Sequence, residues 1–410
     1  MTPLTNIAQC PIDEWAALKA FYESTNGDNW KNRTGWDLHI ANHNSPADDC
    51  NLAELFGIIV QPGSDSTEPR VTSLRFSGNG LTGTIPAEIG MLTYLEYFNL
   101  QYMNQGDQLT GKIPKELGSL KNLQYLSLIS NQLTGEIPAE LGNLSSLNYL
   151  NLNYNQLSGS IPSELGNISR LFELNLTGNQ LSGTIPAELG KLNPLVNFSL
   201  GGNQLTGNIP IELSNFTNLD RLSLGNNQLT GVIPPELGNL TSLVGLALSD
   251  NQLTGSIPAE LGNLTNLRGL LIYNNQLSGC FPNTLTLFCD RPASSTNETI
   301  SDGNDFDAAW EDFCTNKEGA CPPNSTNSND LLDSIDFVYD QTSQTINITS
   351  SNLPIEHLIL FNANSQIIKN IKVEKSSKVK VDVAGLANGI YIAEAAINGK
   401  RFQTNIVISK

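Results

Sequence analysis

The chain has 410 residues, of which 39% are hydrophobic, and its formal net charge is −18. No run of 18 apolar residues occurs in it, so the sequence predicts no membrane span. Residues 1–330 hold 14 basic and 33 acidic side chains, which argues against a nucleic-acid partner because phosphate binding needs clustered Lys and Arg.

Residues 1–70 are predicted to form a cap over the exposed end of the domain that follows. Residues 12–22 have the apolar spacing of a short amphipathic helix, and residues 26–30, Asn-Gly-Asp-Asn-Trp, read as a turn before Trp36. This segment contains Cys10 and Cys50.

One pattern recurs from residue 71 to residue 282 with a period of 24 residues. A fixed period of this length predicts a solenoid of about nine units, because each unit buries its apolar side chains only against its neighbours. An asparagine marks each period, and we expect its amide to lie buried at a turn and to satisfy backbone groups there. These ladder asparagines are Asn131, Asn155, Asn179, Asn203, Asn227, Asn251 and Asn275.

Each unit has a strand side and a helical side. Leu126 and Leu128 alternate with polar residues, which is the spacing of a short strand with one buried face. Further on, Ile137 and Pro138 lead into a helical turn, because Pro pre-sets the helical backbone, and we expect Gly142 to end that turn.

Two more rows follow from the repeat. Glutamates from Glu88 to Glu260 occupy one position of eight successive units, as either a solvated row of carboxylates or a cation-binding strip. Thr or Ser occupies another position from Thr82 to Ser278, where repeat packing accounts for the row and an ice-binding surface is the alternative.

Residues 126–142 read Leu-Ser-Leu-Ile-Ser-Asn-Gln-Leu-Thr-Gly-Glu-Ile-Pro-Ala-Glu-Leu-Gly, which resembles the leucine-rich repeat of plant extracellular proteins. The resemblance implies an α/β solenoid, a right-handed leucine-rich-repeat coil with caps at both ends. One unit departs from the pattern, since four residues are added between Leu100 and Leu109 and Asp107 occupies the ladder position. Asp cannot donate a hydrogen bond as Asn does, so we expect the ladder to be interrupted there.

The resemblance also bears on the first two cysteines. In the N-terminal caps of this repeat family a second Cys often follows the first, and here Val60 lies near that place. The resemblance therefore implies that Cys50 pairs with Cys10.

Residues 283–325 are predicted to form the C-terminal cap. Sequence does not fix how its cysteines pair, and nearest neighbours would give Cys280 with Cys289 and Cys314 with Cys321. Since all six cysteines lie in or beside the two caps, we expect disulfides and an oxidising compartment. The same segment holds an acidic run that is either a calcium site or a solvated loop, formed by Asp302, Asn304, Asp305 and Asp307.

Residues 326–335 read as a polar linker, and residues 336–410 as a small all-β Ig-like sandwich of short strands joined by turns. Residues 360–368, 381–392 and 406–410 resemble the C-terminal sorting domain of the type IX secretion system of Bacteroidetes. The resemblance implies that the type IX machinery recognises residues 336–410 and that the protein is secreted or held at the outer cell surface. Such export needs a signal peptide, and residues 1–20 show no basic start followed by an apolar run.

The sequence does not predict an enzyme. His39 and His43 are four residues apart, which suits a metal on a helix, but Pro46 and the Asn/Asp-rich surroundings favour a loop. No nucleophile elbow, Cys-His pair or phosphate-binding Gly loop occurs. We therefore expect no catalysis, no metal and no cofactor.

The strand side instead offers a binding surface on the concave face of the solenoid. Rigid aromatic rings beside amides suit recognition of a protein or a polysaccharide, although tyrosines also pack across neighbouring strands without any ligand. The predicted ligand-binding residues are Tyr97, Tyr102, Tyr125, Tyr149, Tyr154, Phe172, Asn151 and Asn175.

The sequence thus predicts a secreted or surface-attached, non-catalytic recognition or adhesion protein that binds a protein or polysaccharide on its concave face. The alternative, by analogy with the plant repeat proteins it resembles, is an inhibitor of a secreted polysaccharide-degrading enzyme. An ice-binding protein is a less favoured third reading.

Overall fold

The structure is a computed structural model that describes residues 12–36, 52, 55–62, 69–101, 108–289, 302–316, 320, 335–340, 343–350, 355–362, 367–376, 378–397 and 400–408. The chain divides into two compact units, residues 1–319 and residues 320–410. Some predictions fall outside the described residues: those for Cys10, Cys50, Tyr102, Asp107, Cys321, His39, His43 and residues 326–334.

A helix and a cluster of aromatic rings begin the first unit. Helix α1 (Ile12–Ser24) extends over the predicted helix, and a 3₁₀ helix (Gly27–Asn29) follows it. Phe21 of α1 packs against Trp30 and Phe76, with ring centroids 5.7 and 5.3 Å apart. These contacts join the N-terminal cap to the first repeat.

A ten-stranded sheet carries the strand side of every repeat. Its first two strands are antiparallel, and the following pairs are parallel, with equivalent positions of successive units in register. We call the solvent-facing surface of this sheet the concave face. Numbered along the chain, its strands are β1 (Ile58–Pro62), β2 (Pro69–Arg75), β4 (Tyr97–Asn99), β6 (Tyr125–Ser127), β8 (Tyr149–Asn151), β10 (Glu173–Asn175), β12 (Asn197–Ser199), β14 (Arg221–Ser223), β16 (Gly245–Ala247) and β18 (Gly269–Leu271).

A second set of strands, two to five residues long, forms after the turns of the units, and these strands pair with one another. They contain most of the row of Thr and Ser, and the hydroxyls of Thr134, Thr206 and Thr254 each donate to a backbone carbonyl of the preceding unit at 3.3 Å. These hydroxyls therefore join neighbouring coils. The strands are β3 (Gly83–Thr84), β5 (Leu109–Thr110), β7 (Thr134–Gly135), β9 (Gln156–Ser160), β11 (Gln180–Thr184), β13 (Gln204–Gly207), β15 (Gln228–Leu229), β17 (Thr254–Gly255) and β19 (Gln276–Gly279).

The helical side of each unit is a short 3₁₀ helix that follows the Pro of the repeat. Gly142 lies within such a helix and does not end it, so that prediction is wrong. A Cβ on Gly142 would collide with the Glu164 carbonyl of the next unit, so the glycine permits the close approach of two coils. These helices are Ala87–Met91, Lys115–Ser119, Ala139–Asn143, Ser163–Asn167, Ala187–Lys191, Ile211–Asn215, Pro235–Asn239 and Ala259–Asn263.

The seven ladder asparagines are buried and hydrogen-bond to the backbone between units. Asn203 donates to the carbonyl oxygens of Leu176 and Leu200 at 3.0 and 2.9 Å, and it accepts from the Leu181 N–H at 3.0 Å. The other six make the same three contacts, so every amide joins two successive coils.

The C-terminal cap continues the ladder. Asn304 accepts from the Leu277 N–H at 3.0 Å and donates to the Ile272 carbonyl at 3.1 Å, as a ladder asparagine would. Its amide is therefore used by the backbone, and no group of three or more metal-ligating side chains occurs in the described part of the chain. The cap consists of a 3₁₀ helix (Asn283–Phe288), β20 (Asp305–Phe306), which pairs with β19, and helix α2 (Trp310–Asn316).

The disulfides of this cap differ from the nearest-neighbour prediction. Cys289 is bonded to Cys314, with Cα atoms 5.3 Å apart, so the predicted pairs 280–289 and 314–321 are wrong. The bond links the 3₁₀ helix, which ends just before Cys289, to α2. Folding of the cap brings these two elements together across 25 residues of sequence, a distance that spacing alone does not reveal. Cys280 is also disulfide-bonded.

The second unit is an all-β domain of two antiparallel sheets, as predicted. Its core is formed by alternating apolar residues, among them Ile346, Leu358, Val381 and Ala393. One sheet has the order β21 (Ile335–Asp340), β22 (Thr345–Ser350), β25 (Lys378–Asp382), and the other β24 (Ile367–Ser376), β23 (Ile355–Asn362), β26 (Gly389–Ile397), β27 (Lys400–Ile408). In the described ranges of either unit, no helix has the length and apolar content that crossing a membrane requires.

Candidate functional site

Three tyrosines stack on the concave face at the N-terminal end of the sheet. They occupy one register position on β4, β6 and β8. The rings of Tyr97 and Tyr125 are 4.2 Å apart and 8° from parallel, and those of Tyr125 and Tyr149 are 4.3 Å apart and 5° from parallel. Each inner ring face is therefore covered by the next ring, and the stack presents ring edges and hydroxyl groups to solvent.

The rings lie over the polar residues between the leucines of each strand. Asn151 donates to the Tyr149 hydroxyl at 2.9 Å, and Asn99, Ser127 and Asn151 are all buried. In the next unit, where Glu173 replaces tyrosine, the equivalent Asn175 is only partly buried. The Ser127 hydroxyl is completely buried without a hydrogen-bond partner.

An arginine closes the N-terminal end of this stack. The guanidinium carbon of Arg75 lies 4.3 Å from the centroid of the Tyr97 ring, within cation–π distance. The Arg75 Nε donates to the Ser73 hydroxyl at 3.0 Å, which fixes the side chain in that position. We call Arg75, Tyr97, Tyr125 and Tyr149 the tyrosine stack.

A groove of about 340 Å³ runs beside the tyrosine stack. The residues immediately before the three tyrosines, Glu96, Gln124 and Asn148, form one line of its wall. Ile59 and Gln61 of β1 contribute to the N-terminal end. The groove thus combines aromatic edges with amide and charged groups that both donate and accept hydrogen bonds.

The C-terminal end of the tyrosine stack carries a carboxylate. Glu173 is paired in register with Tyr149, and its Oε1 accepts from the Asn151 amide at 3.3 Å. Burial raises the pKa of the Glu173 carboxyl above its ordinary value, although hydrogen bonds from Tyr149 and Asn151 oppose the shift. Burial likewise raises the pKa of the Tyr125 and Tyr149 phenols, so these two hydroxyls are protonated near neutral pH.

Other predicted site residues lie apart from the groove. Tyr154 is 60% exposed with a left-handed backbone, φ 52°, and its ring lies against Gly178 of the next unit. Phe172, 51% exposed, continues the line of Asn148 beyond the groove. Of the predicted residues that the structure describes, the three stacked tyrosines line the groove, whereas Asn151 lies beneath them and Asn175 one strand further on.

Sequence reasoning did not select Arg75, Glu96, Gln124 or Asn148. A signal for the last three was present, because they occupy one register position directly before the tyrosines. Arg75 carried no such signal, since it belongs to the position between the buried apolar residues of the first unit and reaches Tyr97 on the neighbouring strand.

Family models match most of both units. Residues 70–200 match the leucine-rich repeat region model, and residues 218–240 and 242–264 match the Leucine Rich Repeat model. Residues 341–409 match the secretion system C-terminal sorting domain. A search of the curated proteins gives no match.

Solved structures of plant ectodomains share the fold. The leucine-rich repeat ectodomain of the Arabidopsis thaliana receptor kinase GASSHO1/SCHENGEN3, in complex with CASPARIAN STRIP INTEGRITY FACTOR 2, is 33% identical over 71% of this chain and 32% of its own, with a TM-score of 0.61. The plant peptide hormone receptor RGFR1, in complex with RGF2, is 37% identical over 58% of this chain and 36% of its own, with a TM-score of 0.53. The chain therefore spans about a third of each receptor chain.

A plant ice-binding protein is also similar in structure. It is 25% identical over 77% of this chain and over all of its own length, with a TM-score of 0.56.

Proposed function

Because this chain contains leucine-rich repeats and a secretion system C-terminal sorting domain, we propose that it recognises an extended protein segment in the groove beside the tyrosine stack. The sorting domain indicates that the protein is secreted or displayed at the outer cell surface, and it implies a secretion machinery as a second partner. We expect that recognition to be non-catalytic.

The observation that carries the proposal is the face-to-face stacking of the three tyrosines. A sugar ring that packs on an aromatic side chain needs a free ring face, and here the inner faces are covered at 4.2 and 4.3 Å and Arg75 lies over the outer face of Tyr97, which leaves one terminal face, that of Tyr149. What the groove offers is a line of hydroxyl, amide and carboxylate groups. Such groups match the N–H and C=O groups that an extended peptide backbone leaves unpaired.

The similar plant receptors support a protein ligand in preference to a polysaccharide. GASSHO1/SCHENGEN3 and RGFR1 were both solved with a partner bound, and RGFR1 is a receptor for a peptide hormone. An inhibitor of a secreted polysaccharide-degrading enzyme would be one form of the same function, since its partner is also a protein.

Ice binding receives less support from the structure. Hydroxyls of the Thr row donate to backbone carbonyls of the preceding unit, as Thr134, Thr206 and Thr254 show. Their protons are therefore used within the coil, which fits the reading that the row serves repeat packing.

The proposal is tested by selecting a phage-displayed random peptide library, and by probing a glycan array, with the full chain. Selected peptides are then titrated against Tyr149→Ala, which shortens the tyrosine stack, and against Tyr149→Phe, which keeps the ring. The control is the double variant Ile211→Ala/Val232→Ala, which removes two exposed apolar side chains that are 54% and 57% accessible and lie outside the groove.

We expect peptides to be selected and Tyr149→Ala to weaken their binding by roughly tenfold or more, the usual effect of removing an aromatic anchor from an interface. The control should bind as the wild type does. Binding of glycans alone, or equal affinity of wild type and Tyr149→Ala, would contradict the proposal.

A further inference from the structure

We propose that the Glu173 end of the tyrosine stack binds the cationic side chain of an arginine or lysine in the recognised protein segment. This inference rests on the peptide-binding function proposed above and adds the charge of the residue that the site selects. It concerns Glu173, Tyr149 and Asn151, which lie together at the boundary between β8 and β10.

Asn151 holds the two other groups in place. Its amide nitrogen donates to the Tyr149 hydroxyl at 2.9 Å and to Glu173 Oε1 at 3.3 Å. The carboxylate is thus oriented by neutral groups, and none of the ion pairs found among the described residues includes Glu173. Arg221, two strands further along the same row, contacts Asp220 instead, at 3.7 Å.

The opposite end of the stack shows how a cation fits this geometry. There the Arg75 guanidinium lies 4.3 Å from the Tyr97 centroid. The rings are parallel within 8°, so the stack has two terminal faces, and the second belongs to Tyr149 and is directed toward β10. In the described residues no other ring or cation packs on that face, and Glu173 is its partner in register.

A guanidinium or ammonium group placed there would interact with the Tyr149 ring and the Glu173 carboxylate at once. A planar guanidinium can stack on an aromatic face while it donates hydrogen bonds to a carboxylate at its edge. A charge partner would also offset the cost of holding a half-buried carboxylate away from water, a cost reflected in the raised pKa of Glu173.

The surroundings favour a positive ligand group. The residues aligned beside Glu173 on β8 and β12 are Tyr149 and Asn197, and neither carries a charge near neutral pH. The chain as a whole has a formal charge of −18, which draws basic segments toward it. An acidic ligand segment would meet like charge at Glu173.

The test uses peptides selected on the full wild-type chain, each compared with a version in which its basic residue is replaced by citrulline or acetyl-lysine. These neutral replacements keep the length of the side chain. Peptides with a free and with an acetylated N-terminus distinguish a side-chain cation from the terminal amine. The protein variants are Glu173→Gln and, as a control of equal net charge, Glu188→Gln, which changes an exposed carboxylate on the helical side.

We expect selected peptides to share an Arg or Lys at one position. Glu173→Gln should weaken the binding of these peptides by roughly tenfold, whereas Glu188→Gln should bind them as the wild type does. Neutralising the basic residue of the peptide should weaken binding to the wild type by a similar factor. The same replacement should change binding to Glu173→Gln only slightly, because the two changes remove the same contact. Acetylation of the N-terminus should have no effect.

Peptides that need Tyr149 but bind Glu173→Gln and Glu188→Gln equally would overturn the cation site and leave the groove function standing. A loss that follows the N-terminal amine instead of a side chain would also overturn it. Selection of no peptide at all by the wild type would overturn both proposals.

Discussion

The backbone carbonyl of Glu164 occupies the space where a Cβ of Gly142 would stand. The two residues belong to successive 3₁₀ helices, Ala139–Asn143 and Ser163–Asn167, so the glycine sets how closely two coils pack. The same relation recurs at Gly118, Gly166, Gly190 and Gly238. The period of 24 residues therefore includes a small residue for a steric reason on the helical side.

Replacing Gly142 by alanine should destabilise the solenoid. The methyl group would push the two coils apart, and overpacking of this kind costs about 1–3 kcal/mol. Urea denaturation followed by circular dichroism should show a lower midpoint for Gly142→Ala. The matched control is Gly269→Ala, since a Cβ there meets no atom within 4 Å. Equal midpoints for the two variants would show that the coils can separate without cost.

Replacing a ladder asparagine should also destabilise the fold. Asn203→Ala removes the acceptor of the buried Leu181 N–H, whereas the Leu176 and Leu200 carbonyls still accept from Asn179 and Asn227. A buried polar group left unpaired costs about 1–3 kcal/mol, so the denaturation midpoint should fall clearly. Asn167→Ala, at an exposed asparagine of a 3₁₀ helix, should leave the midpoint close to that of the wild type.

Much of this architecture follows from the sequence because it is periodic. One repeat predicts the strand, the turn and the 3₁₀ segment of every other, and the position of Asn203 in the period was enough to expect it at a turn. The all-β sorting domain has no such period and could be recognised from its short strands and three matching segments.

What the sequence did not predict depends on contacts between non-equivalent positions. The Cys289–Cys314 bond requires the folded cap, and Asn304 reaches the ladder position from a segment without the repeat. The tyrosine row itself was visible, but not that its rings would stack face to face. In the stacked arrangement the tyrosines expose ring edges and hydroxyls to a ligand instead of ring faces. The side-chain torsions decide which of these surfaces is exposed.

Replacing Ser127 by alanine should leave the stability unchanged or raise it. The hydroxyl is buried below the tyrosine rings without a hydrogen-bond partner, and such a group is costly to desolvate. We expect a gain of up to about 1 kcal/mol in the free energy of unfolding, measured by urea denaturation. A clear loss of stability would mean that the Ser127 hydroxyl is hydrogen-bonded in solution.

Replacing Glu14 by glutamine should make stability less sensitive to pH. Glu14 of α1 is buried, and burial raises its carboxyl pKa above the ordinary value, against the opposing effects of the Val71 N–H and Arg70. The folded protein therefore holds a proton on Glu14 at a pH where the unfolded chain has lost it. The contribution of Glu14 to stability is therefore lost as the pH rises from the ordinary to the raised pKa.

Glu14→Gln lacks this titration and keeps a carbonyl that can accept from the Val71 N–H, which lies 3.2 Å from Glu14 Oε2. Its stability relative to the wild type should therefore increase with pH across that window and then stay constant. Thermal unfolding between pH 3 and pH 8 measures the difference, and Glu188→Gln controls for the loss of one negative charge. Parallel curves for wild type and Glu14→Gln would contradict the assignment.

The affinity of a basic peptide for the groove should fall as the pH is lowered. The proposed contact needs the charged form of Glu173, whose pKa burial raises, so protonation removes the partner of the ligand cation at a higher pH than for an ordinary glutamate. An arginine in the peptide stays protonated throughout, and Tyr149 stays neutral, because burial raises its pKa from an already high value.

Fluorescence anisotropy with a selected peptide that contains no carboxyl group should show the affinity decreasing as the pH is lowered through the raised pKa of Glu173. In Glu173→Gln the affinity should be weak and should lack the decrease that titration of Glu173 produces, whereas Glu188→Gln should follow the wild type. If wild type and Glu173→Gln had the same pH profile, the titrating group would lie elsewhere and Glu173 would not be the partner of the cation.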